Sequence, residues 1–231
     1  MKHHLYHGTT DKHLASVLAC GLLTRESTRE SNWETYPSRP DCVYLTDAYA
    51  PYFAWTAADI RHGEKALIVE VDSSALDEED WLPDEDFIAQ AIAKQEKKSI
   101  DDVHSEVRDM LETYRHHAWD SLAHLGNICH QGAVAASAIT RYAVIDLDKQ
   151  RDLGWACMDP SISLINYKFC GGKYRSIISW IFGDRSDFEV GVGLPNDKYI
   201  AMIEKLQPGY AAGLAKLFAN RDGIDVVEVR T

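Results

Sequence analysis

The sequence predicts a mixed fold of helices and strands, on three observations. Short apolar or β-branched runs recur between stretches with helical spacing. The clearest run, Lys65-Ala66-Leu67-Ile68-Val69-Glu70-Val71-Asp72, reads as a strand that is apolar for most of its length. The alternation carries no Gly-x-Gly-x-x-Gly, which disfavours an ordinary dinucleotide-binding unit. At 231 residues the chain is long enough for one large domain, or for a core with an appendage, and for a real hydrophobic core.

Taken in order, Leu5-Tyr6-His7-Gly8-Thr9-Thr10 reads as a strand handing over to a helix. Thr10 or Asp11 can cap that helix, Leu14, Val17 and Leu18 give its apolar spacing, and Gly21 supplies the stop. Residues 24–41 are polar, carry Pro37 and Pro40, and read as a long surface loop. Asp41 to Thr46 is a short strand. Asp47 to Ala58 is helical, with Pro51 tolerable only in the first turn. After the strand at 65–72, residues 87–98 form a helix, and Ser99-x-x-Asp102 resembles a capping box that starts another. Val103, Val107, Leu111, Tyr114 and Ala118 put one face of that second helix in the core. Gly126 closes the region. Asn127 to Gln131 and Tyr142 to Leu147 read as strands joined by the small-residue run from Gly132 to Ser137. From residue 151 the chain is rich in aromatics, with a turn at Leu206-Gln207-Pro208-Gly209 between helical stretches and a closing strand at 225–229.

Composition excludes several classes. No apolar run approaches the roughly 20 residues of a membrane span, and no secretory h-region is visible, so the chain reads as cytoplasmic with no membrane partner. Five widely spaced cysteines without a Cys-x-x-Cys argue against a disulfide scaffold or a structural zinc site. Ten histidines include the neighbours His3-His4 and His116-His117, but adjacent helix residues point apart and no His-Glu-x-x-His is present, so no metal is expected. The formal net charge of −12 opposes long-range attraction to nucleic acid, without excluding a local basic groove. Asp77 to Asp80 and Asp84-Glu85-Asp86 read as a solvated acidic loop.

Three segments carry the candidate chemistry: His7-Gly8-Thr9, then Val43-Tyr44-Leu45-Thr46 with a following helix bearing Tyr52 and Trp55, then Asn127 to Gln131 with its continuation to Ile139. Taken alone, Tyr44 and Trp55 read as packed residues and Asn127 as a turn residue. A glycine beside polar groups at a strand end permits close approach of a ligand to the main chain.

Together these segments resemble the ADP-ribosyltransferase superfamily, in the branch of the poly(ADP-ribose) polymerases and DarT-like toxins. Tyr6-His7-Gly8-Thr9 is similar to that family's first strand motif, Val43-Tyr44-Leu45-Thr46-Asp47 to its second, and Trp55 to its second aromatic. Asn127 stands where the family usually has Glu. The resemblance covers roughly residues 4–146. It implies an α+β fold with a split, mixed or largely antiparallel sheet and flanking helices. The NAD-binding core would span residues 1–150, with a mainly helical, aromatic-rich C-terminal extension at 151–231 packed on it. It implies NAD as co-substrate and single ADP-ribose transfer with release of nicotinamide. Tyr44 and Trp55 would stack on the nicotinamide with Tyr52 nearby. Gly8 would recognise its carboxamide, His7 would contact the ribose, and Thr9 would hold the His7 ring or the turn. His7, Tyr44 and Asn127 would be the catalytic set.

Asn127 cannot supply negative charge or act as a base, so His130 and Gln131 are the nearest replacements, and acidic residues from Glu106 to Asp120 could fold over the site. The partners implied are a macromolecular acceptor, such as single-stranded RNA or DNA or a protein, and an antitoxin or regulatory protein. Such a chain would act as a toxin or phage-defence effector. Lys168, Lys173 and Arg175 interleaved with Tyr167, Phe169 and Tyr174 read either as a packing segment with a basic edge or as a nucleic-acid grip. An RNA 2′-phosphotransferase and a non-catalytic NAD-binding module are the alternatives.

Overall fold

The computed structural model describes residues 4–28, 38–61, 63–157, 164–184, 204–205 and 208–229. In chain order these form β1 (His4–Thr10), α1 (Leu14–Cys20), α2 (Arg25–Thr28), β2 (Cys42–Thr46), α3 (Ala50–Ile60), β3 (Ala66–Asp72), β4 (Trp81–Pro83), α4 (Glu85–Glu96), α5 (Ile100–Asp109), α6 (Ala118–Leu125), β5 (Asn127–Gln131), β6 (Ile139–Ile145), α7 (Arg151–Cys157), α8 (Leu164–Phe182), α9 (Tyr210–Ala219) and β7 (Ile224–Glu228). The strands make one seven-stranded sheet in the order β4-β5-β2-β1-β3-β6-β7. Every neighbouring pair runs antiparallel, so the fold is α+β.

The sheet is covered on both faces, which is why β3 reads as an almost unbroken apolar run rather than an alternating one. Ala66 and Ile68 enter a core with α3, α7 and α8, where Ala54, Leu153, Tyr174, Ile177 and Ile181 are buried. Leu67, Val69 and Val71 enter the opposite core with Leu5, Val17, Leu45, Trp81 and Ile128. A third cluster, under α4 and α5, joins Cys42, Leu82 and Cys129 to Ile88, Val103 and Val107. The end of the chain completes the same sheet, β7 pairing along β6 from Arg141–Glu228 to Ile145–Ile224.

Local chemistry explains most boundaries. Pro51 sits in the first turn of α3, where its missing N–H costs nothing. Ser99 and Asp102 make the reciprocal capping box that starts α5. Gly126 ends α6 in the left-handed conformation, at φ 79°. The expected cap at Thr10 or Asp11 does not form. Asp11 Oδ1 instead accepts the Lys65 N–H at 2.9 Å, tying the end of β1 to the approach to β3.

The apolar face running from Val103 to Ala118 is inward as expected, but it is not one helix. The Met110 N–H is shared between the Glu106 and Val107 carbonyls, ending α5, and a 3₁₀ turn over Leu111–His117 carries the face on to α6. The strand expected at Tyr142 begins earlier, at Ile139. The turn residues Leu206 and Gln207 lie outside the described residues, as does most of the helical stretch expected before them.

Candidate functional site

The site is built on the junction of β1 and β2. The Asp11 N–H bonds to the Lys65 carbonyl at 2.9 Å, which fixes the phase of the β1–β3 ladder. In an antiparallel pair, alternate residues exchange both hydrogen bonds with the partner opposite. Thr9, His7 and Leu5 therefore direct their main-chain groups to β3, and Thr10, Gly8 and Tyr6 direct theirs to the other edge. On that edge β2 pairs only at Tyr6–Thr46. Continuing the register would set Gly8 opposite Tyr44. Instead the His7 side chain makes the connection, Nδ1 lying 2.9 Å from the Tyr44 carbonyl. The β1–β2 register thus stops short of Gly8 and Tyr44, and by strand alternation the Gly8 N–H and C=O face the β2 side.

The His7 bond also fixes its tautomer. A carbonyl only accepts, so Nδ1 carries the proton and Nε2 is an acceptor. Burial pushes the imidazole pKa below its ordinary value; the bond to Tyr44 opposes that and neighbouring His13 adds to it. The ring is neutral near pH 7.

Gly8 is required for a second reason. A Cβ there would collide with the Ala50 carbonyl and lie 2.7 Å from the Ala54 nitrogen, so the bare residue lets α3 pack on β1. Access to Gly8 is therefore through the strand edge, since its α face is occupied by helix.

Tyr44 leaves β2 on the face shared with Thr46, Cys129 and Asn127, the last two being their register partners on β5. Its hydroxyl donates to Glu85 Oε2 at 2.6 Å and accepts the Arg39 N–H at 2.9 Å. Burial and the Glu85 charge push the phenol well above its ordinary pKa. Arg39 is held in turn by Asp41 and Glu112, and both carboxylates are drawn down to about 2 by hydrogen bonds to that guanidinium. Glu112, from the 106–120 stretch, thus reaches this neighbourhood through Arg39.

The expected solvated acidic loop is only half correct. Glu78 and Glu79 are exposed, but Asp84 and Glu85 are 7% and 4% exposed. Asp84 caps α4 by accepting the Asp86 N–H at 2.9 Å. Burial raises its pKa strongly. Burial likewise raises that of Glu85, against the bond from Tyr44. Ser121 Oγ accepts the Asp84 N–H and donates to the Asn127 carbonyl at 2.8 Å, locking the α4 start to the β5 start. Asn127 is 4% exposed, and its Oδ1 has no partner. The sequence signal for this turn was Asp84 placed as a cap ahead of Phe87 and Ile88. It marks a helix starting two residues earlier than expected and carrying Glu85 inward.

The remaining candidates divide. His130 lies on the opposite face, its ring 5.2 Å from Trp81, and so does not share a face with Asn127. Gln131 is at the far end of β5, bonded to Arg115 and Asp41. Trp55 lies with its Nε1 edge on α7, where a Cβ on Gly154 would come within 2.6 Å of it. Tyr52 contacts the ring of Phe53 at 5.5 Å, and Thr9 sits opposite Leu67 on β1. The structure thus gathers His7, Gly8 and Tyr44, sets Asn127 beside them on the Tyr44 face, and holds Trp55 against α7.

The basic-aromatic segment mostly packs. Lys173 is 6% exposed and donates to the Ala156 carbonyl, and Tyr174 is fully buried. Arg175 bonds Asp47 and the Tyr167 hydroxyl, pinning α8 to the turn between β2 and α3. The side chains of Lys168 and Phe169 lie outside the described residues. Among the described residues no helix is long and apolar enough to cross a membrane, and no group of three or more His, Cys, Asp or Glu converges as a metal site. No protein-family model and no curated protein matches the chain.

Proposed function

We propose that this chain is an NAD-dependent mono-ADP-ribosyltransferase, of the ADP-ribosyltransferase-like type that its motifs resemble. One observation carries the reading: the Gly8 N–H and C=O face the β2 side where the β1–β2 register has stopped, and His7 bonds the Tyr44 carbonyl there. A primary carboxamide needs one donor and one acceptor at hydrogen-bond spacing, and a single residue's main chain on a free edge offers both. Tyr44, whose main chain faces that edge, would turn an aromatic ring to the electron-poor nicotinamide. His7 Nε2 supplies an acceptor for a ribose hydroxyl.

In the reaction the C1′–N bond of the nicotinamide riboside breaks and its electron pair leaves with the nicotinamide, neutralising the pyridinium. Positive charge develops on the ribose, as in glycoside cleavage. A lone pair of the acceptor forms the new bond to C1′, and the acceptor's proton passes to a base. The acceptor is a macromolecule, nucleic acid or protein. Asn127 holds a ribose hydroxyl or the acceptor through its unpartnered Oδ1. Trp55 sets one edge of its indole on Gly154 of α7, and the stack is assigned to Tyr44.

The test is incubation of the protein with NAD and either RNA, single-stranded DNA or a cell extract, following free nicotinamide and a product heavier by one ADP-ribose. Release that depends on Tyr44 supports the reading. Wild-type activity in Tyr44→Ala overturns the site.

A further inference from the structure

Cleavage of the glycosidic bond needs negative charge near the ribose, and the residue at the start of β5 is an amide. The structure offers a carboxylate from another element. Glu85 accepts the Tyr44 hydroxyl at 2.6 Å, and Asp84, the residue before it, is joined to Asn127 on the Tyr44 face through Ser121. Asp84 is accounted for by its cap on α4. Glu85 is not. A glutamate at the first helical position is commonly solvated, where the helix N-terminus still favours its charge. Here it is 4% exposed, and burying a carboxylate is costly unless something is gained. Its partner is Tyr44, and Asn127 two positions along the neighbouring strand presents a buried oxygen with no donor. A buried acceptor without a donor has a free site for one further hydrogen bond.

We propose that Glu85 is the positioning carboxylate of this site: through the Tyr44 hydroxyl it fixes the ring against the open β1 edge and supplies the negative charge that the transition state requires. The assignment rests on the proposed transferase reading and adds to it a residue from α4. Glu85 makes no bond to the substrate. It acts through Tyr44, with the Asn127 Oδ1 left to receive a hydroxyl of the ribose or acceptor. The charged and titratable groups around it are Tyr44 on β2, Cys129 on β5, Asp84 and Asp86 on its own turn, and His104 on α5, which bonds Asp86 at 3.1 Å.

The test compares the wild type with Glu85→Gln, which keeps the shape and an acceptor for Tyr44, and with Glu85→Asp, which keeps the charge. Nicotinamide release is measured against NAD concentration from pH 5 to 9, and NAD binding is measured by calorimetry. Glu85→Gln is expected to lower kcat by about 100-fold while KM and the calorimetric affinity for NAD move by less than about threefold, the pattern of a lost transition-state interaction. The acid limb of the pH profile is expected to vanish with the charge, and Glu85→Asp to restore part of the rate. A Glu85→Gln enzyme with wild-type kcat, or one that loses only NAD affinity, overturns the role of Glu85 alone. A wild type that binds no NAD overturns the transferase reading, and this role with it.

Discussion

The imidazole of His7 donates from Nδ1 to the main-chain carbonyl of Tyr44 at 2.9 Å, in the place where β1 and β2 would otherwise continue their ladder. A side chain thereby substitutes for a backbone pairing. The strand edge at Gly8 is left with main-chain donor and acceptor groups directed away from β3. Replacing His7 by Ala removes that spacer. We expect nicotinamide release to fall by about 10- to 100-fold in kcat/KM, and stability to fall by about 1 kcal/mol for the lost hydrogen bond. Steady-state kinetics with urea denaturation of the same variant check both, and wild-type kinetics would remove His7 from the site.

Gly8 should tolerate nothing larger. The Cβ of Gly8→Ala meets the Ala50 carbonyl and the Ala54 nitrogen, backbone atoms of α3 that cannot swing aside. A loss of about 2 kcal/mol is expected from overpacking. Chemical denaturation measures it directly, and an unchanged midpoint contradicts the α3 packing.

Trp55 separates packing from stacking. Its indole lies on Gly154, so Trp55→Leu should lower stability by about 1–3 kcal/mol while leaving the KM for NAD within about twofold. A large rise in KM with little loss of stability would return Trp55 to the nicotinamide.

Glu85 and Asp84 give stability a pH dependence of defined sign. Both have folded pKa values above their ordinary ones, so the folded state holds more protons than the unfolded state and stability falls as pH rises. The fall begins near the unfolded carboxyl value, about 4, and continues through the raised folded values. Glu85→Gln removes one such group. Its stability relative to wild type should therefore increase between pH 4 and pH 8, as read from denaturation midpoints at both pH values. A difference that shrinks over that range would show Glu85 to be stabilised, not strained, by its burial.

The elements most visible in the sequence are those whose cause is local. β3 shows in its apolar run, α5 in the capping box at Ser99, α3 in Pro51, and the end of α6 in Gly126. β4 was missed because Trp81–Pro83 is three residues long and sits between acidic neighbours, too short for any alternation to register. The break at Met110 was missed because the apolar face runs on unbroken through the 3₁₀ turn. At the candidate site, His7, Gly8 and Tyr44 could be singled out as residues. Their relation through a carbonyl could not, since it depends on where the pairing of two strands stops. The burial of Glu85 was equally hidden, being decided by a tyrosine on a strand distant in sequence.

The central claim is that the open edge at Gly8 receives the carboxamide of NAD. A crystal structure of the protein with nicotinamide bound tests it most directly. The carboxamide is expected within hydrogen-bond reach of both the Gly8 N–H and C=O, with the ring against Tyr44. Nicotinamide bound elsewhere, or an edge at Gly8 that stays empty at saturating ligand, would contradict the claim.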